Sequence, residues 1–272
     1  MTQANLSPSD VFPEIEAIVD NLPSAQMLEL SNMSLDIPLK ECCKARIISF
    51  LKNVVHLCIE TKRSLASWKK ERQFRITGSR CYQLQTYSKN KNPDWQQKSL
   101  KYFYPKEFTN KYVRHGLENE PFARQKYRET TKSTVIECGL VISIENPWIG
   151  YTPDGIVFDD KKPVKLLEIK CPFAGKTSNI YDIVQKEKYI TVDSSNNISL
   201  KTKHAYYSQV QFGMAVLNLK QTDFVLYSSY DQSIIILPIM FDAEYAKQLL
   251  STPKIIYFNN MLHYICQKIN IF

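Results

Sequence analysis

Three short runs of alternating, β-branched residues constrain the fold more than any other feature of this sequence. The runs span residues 134–144, 148–158 and 164–171. Alternation of apolar and polar residues at every second position is typical of half-buried strands. The polar segment 159–163, with the sequence DDKKP, predicts a turn between the second and third runs. Together the three runs predict a β-meander.

The residues on either side of the meander indicate that helices cover it. Residues 112–132 predict a helix that carries Glu120 and Arg124 on one face, because these residues are four positions apart. Residues 203–219 predict an amphipathic helix, which two strands and a closing helix follow. These later elements span residues 222–228, residues 233–239 and the segment from Ala243 onward. The order predicts an α/β (α+β) fold in which helices flank a mixed central β-sheet.

The first 65 residues form a separate part of the predicted organisation. They are net acidic, and prolines at positions 13, 23 and 38 divide them into short predicted helices. This pattern predicts an N-terminal helical appendage, residues 1–65, ahead of a main domain at residues 66–272. The appendage contains no cluster of candidate ligands, so a packing or capping element without chemistry is the favoured interpretation.

The cysteines and the apolar segments bear on the compartment. The seven cysteines lie at positions 42, 43, 58, 81, 138, 171 and 266. They form no CxxC pair, and no histidine is spaced from them in a way that suggests a zinc site, so no zinc site is predicted and reduced thiols in an intracellular protein are expected. The N-terminus lacks the pattern of a signal peptide, and the longest apolar stretch is too short to cross a membrane. Nucleus and cytoplasm both stay open.

Positive charge is concentrated in one part of the chain. Residues 62–132 hold 18 Lys or Arg and 6 Asp or Glu, a net charge of +12, whereas the remainder holds 17 and 21, a net charge of −4. A basic region of this kind favours a polyanionic partner such as DNA. The alternative is a solvated basic face without a specific partner.

The residues with the clearest chemical role lie in two neighbouring segments. One is GYTPDG at residues 150–155, and the other is LLEIK at residues 166–170. Because side chains alternate between the two faces of a strand, Glu168 and Lys170 are predicted to share a face. The hairpin between the segments is predicted to bring Asp154 alongside Glu168.

Two converging carboxylates repel each other unless a cation lies between them. Asp154 and Glu168 therefore predict a divalent ion, and their hard oxygen atoms favour Mg²⁺ or Mn²⁺. An ammonium at Lys170 could hold an attacking water or stabilise charge that develops on a phosphate. Taken alone, however, both carboxylates are equally compatible with ordinary charges of a turn and a strand edge.

Further motifs surround this pair in a fixed order. They are NEPFAR at residues 119–124, TPDG at 152–155, LEIKCPF at 167–173 and SQVQFGM at 208–214. In this order the motifs resemble the PD-(D/E)xK nuclease superfamily, specifically its lambda-exonuclease-like, YqaJ-type viral recombinase family, which is related to herpesvirus alkaline nucleases. The resemblance covers roughly residues 68–226 and implies a restriction-endonuclease-like core.

The resemblance also implies a role for each residue of the acidic centre. Asp154, Glu168 and the backbone carbonyl of Ile169 are expected to bind the metal, and Glu120 to add a further carboxylate. Lys170 is expected to assist the nucleophilic water. Two metal ions are compatible with this set of ligands. The enzyme implied is a metal-dependent deoxyribonuclease that hydrolyses phosphodiester bonds.

A second set of residues is implied to bind the 5′-phosphate of DNA. The members are Arg72, Ser79, Thr152, Arg124 and either Gln209 or Gln211. An arginine offers a fixed fork of donors to a phosphate, and Gly78 lets the backbone approach closely. The alternatives are a basic helix end with an N-cap serine at residue 79, and a polar face on a core-packed helix for the two glutamines.

The sequence departs from the family pattern at two places. Family members often carry serine where this chain has Thr152, which keeps the hydroxyl and adds a methyl group to the phosphate pocket. An additional acidic residue often lies shortly upstream of the central aspartate, and Glu145 is the nearest candidate here.

Three functions stay open on the sequence alone. The first is a 5′ to 3′ exonuclease that acts on double-stranded DNA ends in recombination or repair. The second is a structure-selective endonuclease or nickase with the same site, and the third is a DNA-binding module that has lost turnover. A recombination partner protein and a homo-oligomer are compatible with each of them.

Overall fold

The computed structural model describes residues 12–23, 39–106 and 108–269. The helices in these ranges are α1 Pro13–Asp20, α2 Glu41–Ser49, α3 Val54–Arg63, α4 Leu65–Gln73, α5 Gly78–Tyr87, α6 Trp95–Phe103, α7 Lys111–Thr131, α8 Ile180–Lys186, α9 Ala205–Leu217, α10 Ala243–Ile256 and α11 Leu262–Ile269. The strands are β1 Ile76–Thr77, β2 Thr134–Ile136, β3 Val141–Ile142, β4 Ile149–Tyr151, β5 Gly155–Asp159, β6 Lys162–Lys170, β7 Ile190–Val192, β8 Ile198–Leu200, β9 Gln221–Tyr227 and β10 Ile234–Met240. A 3₁₀ turn spans Phe173–Lys176, and a π-helical turn at Tyr257–Met261 connects α10 to α11.

A five-stranded mixed sheet forms the centre of the protein, in the order β10-β9-β6-β5-β2. Strands β6 and β9 are parallel, and the other neighbours are antiparallel. Alternate residues of β6 face opposite layers: Leu167 and Ile169 belong to the apolar cluster that includes Tyr127 of α7, whereas Leu166 belongs to the core that includes α9. Helices therefore cover both faces of a mixed sheet, and the predicted fold class is confirmed.

The predicted meander was wrong in one respect. The runs at 134–144 and 148–158 each divide into two strands, and β3 and β4 leave the central sheet to join β1 in a second sheet, in the order β1-β4-β3. The first run divides at Gly139, where a Cβ would lie 2.3 Å from the carbonyl oxygen of Cys58 on α3. The second divides before Asp154, because Pro153 has no backbone N–H to donate to a strand.

The described N-terminal helices pack on the same core as the rest of the chain. Ile18 of α1 and Leu57 of α3 are both 2% exposed and belong to the main apolar cluster. Asn21 donates a hydrogen bond to the carbonyl oxygen of Leu217 at 2.8 Å. The predicted boundary at residue 65 falls between α3 and α4, which contact each other. Residues 1–11 and 24–38 of the predicted appendage, including Pro38, lie outside the described residues.

None of the described helices combines the length and the apolar character that a bilayer crossing requires.

Candidate active site

The acidic centre of the candidate site lies where the turn after β4 meets β6. Gly155 pairs with Leu167 in antiparallel register, which places the preceding Asp154 beside Glu168. The backbone N–H of Ile169 donates a hydrogen bond to Asp154 Oδ2 at 2.7 Å. The Asp-Gly turn and the Glu-x-Lys strand are thus joined directly.

Glu168 is only 1% exposed, and hydrogen bonds hold both of its carboxylate oxygens. Oε1 accepts from Lys170 Nζ at 2.5 Å and from Gln209 Nε2 at 2.6 Å. Oε2 accepts from the Tyr151 hydroxyl at 2.8 Å. Because a carboxylate oxygen can accept two hydrogen bonds, Oε2 keeps a lone pair for a further ligand.

Tyr151 is a site residue that the sequence analysis missed. Its ring lies between two glycines: a Cβ on Gly78 of α5 would be 2.5 Å from Tyr151 Cε2, and a Cβ on Gly213 of α9 would be 2.5 Å from Cζ. Both helices therefore approach the ring where they carry no side chain. Burial and the adjacent Glu168 raise the pKa of Tyr151 well above its usual range, so the phenol remains a donor to this carboxylate.

Lys170 is the cation of the acidic centre. Its side chain is 19% exposed, and its Nζ lies 4.6 Å from the centroid of the Tyr206 ring. Burial disfavours the charged form, but Glu168 and Asp154 outweigh it and raise the pKa of Lys170 above its usual range. Lys170 is therefore an ammonium at neutral pH in the metal-free protein.

The chemistry of the donor set fits a divalent cation. Burial and the Glu168 carboxylate raise the pKa of Asp154 well above its usual range, and the Lys170 ammonium offsets this only in part. The negative charge of the two carboxylates is thus only partly compensated by the Lys170 ammonium. Hard oxygen donors with uncompensated charge are what Mg²⁺ and Mn²⁺ prefer, with Asp154 and Glu168 as the residues that would hold the ion.

Arg124, which was expected to contact DNA, has its main contacts within the protein. Its side chain is 8% exposed and forms ion pairs with Glu120 of the same helix and with Glu137 Oε2, the latter at 2.9 Å. Its Nε donates to the carbonyl oxygen of Asp154 at 2.8 Å. Arg124 therefore fixes the Asp154 turn to α7, and it also holds the Glu120 carboxylate at the rim of the site.

Of the two acidic residues shortly upstream of Asp154, Glu137 and Glu145, only Glu137 lines the cavity. Glu145 is exposed in the loop between β3 and β4 and does not line the cavity, whereas Glu137 does. Although burial disfavours its charge, Lys62 and Arg124 lower the pKa of Glu137. No local pattern distinguishes the two carboxylates, because Glu137 directly follows β2 and its place at the cavity depends on long-range contacts with Lys62 and Arg124.

A cavity of about 420 Å³ opens beside the acidic centre. The sequence-predicted residues that line it are Arg72, Ser79, Glu120, Arg124, Thr152, Asp154 and Gln209. Thr61, Lys62 and Leu65 also line it, so the region predicted as an appendage without chemistry contributes to the cavity wall. Glu168 lies beneath this lining and reaches it through Gln209 and Tyr151.

Arg72 is the principal cation of this cavity. Its guanidinium carbon lies 4.0 Å from the centroid of the Trp68 ring, and Nη2 donates to Ser79 Oγ at 3.0 Å. Burial and the nearby Arg80 lower the pKa of Arg72 to about 10, which leaves it charged at neutral pH. In the described ranges no carboxylate pairs with Arg72, so a desolvated cation faces the cavity without a counter-ion.

The N-terminus of α5 adds to this positive end of the cavity. The N-cap residue is Thr77, and its side chain makes no capping hydrogen bond to the helix. Ser79 therefore lies inside the first turn and is not the N-cap. Trp68 Nε1 donates to Thr152 Oγ1 at 3.0 Å, which fixes the hydroxyl of Thr152 at the same end. Uncapped N–H groups next to Arg72 form a site for an anion.

The two candidate glutamines point in different directions. Gln209 lines the cavity and binds Glu168. Gln211 is fully buried, donates to the carbonyl oxygen of Met240 at 2.8 Å and accepts from the backbone N–H of Asp242 at 2.9 Å. Of the two alternatives, the structure thus corrects Gln211 to a core residue that anchors α9 to the end of β10.

Comparison with known proteins identifies relatives of this chain. The family model described as "YqaJ-like viral recombinase domain" matches residues 67–224, which is more than half of the chain. A comparison with curated proteins finds no match.

Solved structures share the fold. An alkaline exonuclease (LHK-Exo) from Laribacter hongkongensis is 24% identical, with a TM-score of 0.54; the match covers 76% of this chain and 98% of that chain. The same protein in complex with dAMP gives a TM-score of 0.55 at 24% identity, with the same coverage. At this identity the similarity shows that the fold is shared.

Proposed function

The chain belongs to the YqaJ-like viral recombinase domain family, and we propose from this and from the geometry of the site that it is a metal-dependent 5′ to 3′ exonuclease acting on double-stranded DNA ends. One observation carries the proposal: Asp154, the outer member of the acidic pair, and the Arg72 anion site line one cavity of about 420 Å³, and Glu168 lies directly beneath that lining. A carboxylate pair supports hydrolysis at one end of the cavity, and a counter-ion-free arginine supports capture of a terminal phosphate at the other.

The residues of the acidic centre divide the chemistry among them. Asp154, Glu168 and the Ile169 carbonyl would hold Mg²⁺ or Mn²⁺, and Glu120 would complete a second site once it is released from Arg124. When bound, a divalent ion supplies positive charge to the scissile phosphate and lowers the pKa of a bound water. The Lys170 ammonium donates to the attacking water or to a phosphate oxygen on which charge develops.

The anion site specifies which bond breaks. If Arg72 and Ser79 hold a terminal 5′-phosphate, each round of degradation must leave a new 5′-phosphate on the remaining strand. The water oxygen then bonds to phosphorus, and the bond between phosphorus and the 3′-oxygen of the released nucleotide breaks. That 3′-oxygen takes up a proton and becomes a hydroxyl, while the phosphate stays with the remaining strand. The product of one round is thus the substrate of the next.

Linear and circular DNA distinguish this function from its alternatives. With Mg²⁺ we expect acid-soluble nucleotides from linear duplex DNA and none from covalently closed circles of the same sequence. Chelation should stop the reaction, and Mg²⁺ alone should restore it. Efficient cutting of circles would favour the endonuclease or nickase. The absence of cleavage with either DNA, together with retained binding, would favour the catalytically silent module.

The terminal phosphate tests the anion site. We expect Arg72→Ala to slow degradation of 5′-phosphorylated ends about 10- to 100-fold, because a hydrogen bond to a charged group contributes roughly 1.5–3 kcal/mol. Ends that carry a 5′-hydroxyl should be slowed far less, since they lack the charge that Arg72 binds. The measurement is the initial rate on two duplexes that differ only in this phosphate.

A matched variant controls for the loss of charge. Lys101→Ala removes one positive charge from the same basic segment, but Lys101 lies on α6 with Gln97 as its partner and does not line the cavity. It should affect both ends equally and weakly. If Arg72→Ala also slows both ends equally, Arg72 is not part of an end-binding site.

A further inference from the structure

Three cysteines converge far from the acidic centre. Cys42 and Cys43 lie in the first turn of α2, and Cys266 lies on α11, more than 220 residues later in the chain. Their sulfur atoms all lie within 4.8 Å of one another. In the described ranges this is the only group of three Cys, His, Asp or Glu side chains that meets such a limit.

A histidine lies beside the cluster. His263 lies three residues before Cys266, so both side chains project from the same face of α11. Its Nδ1 is 3.5 Å from Cys42 Sγ and 3.8 Å from Cys43 Sγ. The cluster therefore offers three sulfur ligands, and His263 Nδ1 contacts two of them but lies more than 4.8 Å from Cys266 Sγ.

Four of the six distances between these atoms fit a tetrahedron. Metal–sulfur bonds of about 2.3 Å and a metal–nitrogen bond of about 2.0 Å, at tetrahedral angles, separate two sulfurs by roughly 3.8 Å and a sulfur from a nitrogen by roughly 3.5 Å. Cys43 Sγ lies 4.0 Å from both Cys42 Sγ and Cys266 Sγ. The sulfur–nitrogen distances of 3.5 and 3.8 Å agree equally well. These four distances agree with ligands of one ion to within a few tenths of an ångström, whereas the His263 side chain has to rotate toward Cys266 to complete the tetrahedron.

We propose that Cys42, Cys43, His263 and Cys266 form a structural zinc site that fastens α2 to α11. Thiolates and imidazole are the ligands that Zn²⁺ prefers, whereas the acidic centre offers the oxygen ligands of Mg²⁺ or Mn²⁺. Four protein ligands leave no open position, so the ion has no catalytic role. Cys43 and Cys266 are 2% and 3% exposed, which protects the ion from exchange with solvent ligands.

The charges around the cluster are compatible with this assignment. Three thiolates and one Zn²⁺ leave a net charge of −1, and two cations lie nearby. Lys40 Nζ is 2.9 Å from His263 Nε2, and the Arg46 charge offsets part of the rise that burial causes in the pKa of Cys266. Coordination through Nδ1 puts the imidazole proton on Nε2, which cannot accept from Lys40. In the zinc-bound protein the Lys40 ammonium would leave Nε2, which its exposed position allows, and would be attracted by the negative charge of the nearby thiolates.

Metal content tests the site without reference to nuclease activity. The full-length protein, purified under reducing conditions without added chelator, should contain about one zinc per chain by inductively coupled plasma mass spectrometry. X-ray absorption at the zinc edge should give three sulfur neighbours at about 2.3 Å and one nitrogen neighbour at about 2.0 Å. Replacement of zinc by Co²⁺ should give the visible absorption of a tetrahedral thiolate complex.

Variants assign the signal to these residues. Cys43→Ser and Cys266→Ser should lose most of the bound zinc, and Cys81→Ser, at a buried cysteine outside the cluster, should keep it. His263 is only half-buried, so His263→Ala should fold and bind zinc much more weakly, whereas His263→Cys should restore binding with four sulfur neighbours. This pair separates a ligand role from a packing role.

Three results would overturn the proposal. The first is a wild-type protein that contains no zinc and takes up neither Zn²⁺ nor Co²⁺ in its reduced form. The second is an X-ray absorption spectrum dominated by oxygen neighbours, which would place the metal at the acidic centre. The third is unchanged zinc content in Cys43→Ser and Cys266→Ser. A disulfide between Cys43 and Cys266 in the freshly isolated protein would also overturn the proposal, because these thiols could not then bind zinc.

Discussion

Asp154→Asn and Glu168→Gln are each expected to lower kcat on linear duplex DNA by on the order of 1000-fold at saturating Mg²⁺. Each change keeps the size of the side chain and removes the negative charge that holds the ion. Affinity for DNA should change little, because the proposed phosphate contacts lie at Arg72 and elsewhere in the basic segment. The measurements are single-turnover cleavage rates and fluorescence anisotropy with the same labelled duplex.

The folding of these variants can be separated from their chemistry. Because burial and Glu168 raise the pKa of Asp154, its ionised form is unfavourable in the metal-free protein, and a neutral asparagine should keep or raise the melting temperature. The asparagine Oδ1 can still accept from the N–H of Ile169. A folded but inactive Asp154→Asn protein is the expected result, whereas wild-type turnover in either variant would remove the metal site from the mechanism.

Glu145→Gln is the matched control for this pair. It makes the same conservative change at an exposed carboxylate in the loop between β3 and β4, which does not line the cavity. Its cleavage rate should equal that of the wild type. A large loss of cleavage rate in Glu145→Gln would mean that Glu145, and not Glu137, contributes to the site.

Gly213→Ala and Gly116→Ala should change stability in opposite directions, although both glycines lie inside helices. At Gly116 of α7 an added Cβ meets nothing within 4 Å, so alanine should stabilise the helix by about 0.5–1 kcal/mol. At Gly213 the Cβ would lie 2.5 Å from Tyr151 Cζ and 2.8 Å from Leu166 Cδ2. Overpacking of this kind costs roughly 1–3 kcal/mol, which exceeds the gain in helix propensity.

The measurement is the free energy of unfolding in urea at fixed pH and metal concentration. Gly213→Ala should also lose activity beyond its loss of stability, because Tyr151 must move and its hydroxyl then leaves Glu168 Oε2. Gly116→Ala should retain full activity. If both substitutions raise the free energy of unfolding equally, α9 can move away from Tyr151 without cost. Tyr151 would then not be needed to position Glu168.

Local sequence patterns predicted the acidic centre and the fold class, whereas contacts across the chain decided the rest. Glu168 and Lys170 follow from the two-residue period of a strand, and that period holds wherever the strand packs. Gln209 and Gln211 lie about 200° apart around a helix axis, so the sequence could not say which one faces the cavity until the buried face of α9 was known. Likewise, the sequence could not show that Glu137 lines the cavity and Glu145 does not, because this depends on how the strands pack.

The cysteine cluster shows the limit of motif spacing most clearly. Adjacent cysteines at 42 and 43 and the His-x-x-Cys segment at 263–266 match no common zinc pattern, and the expectation of no zinc site followed from that. The four side chains meet because α11 packs on α2. Only the tertiary structure joins the two half-sites, since neither holds enough ligands alone.

The π-helical turn at Tyr257–Met261 determines which way the last helix faces. Such a turn holds about one residue more than an α-helical turn, and one residue corresponds to about 100° around the axis. Without it, His263 and Cys266 would be directed about a quarter of a revolution away from α2. The orientation of α11 therefore depends on the number of residues in this turn more than on their identity. The exposed Asn259 and Asn260 can be replaced by other residues, but deletion of either one would turn His263 and Cys266 away from α2.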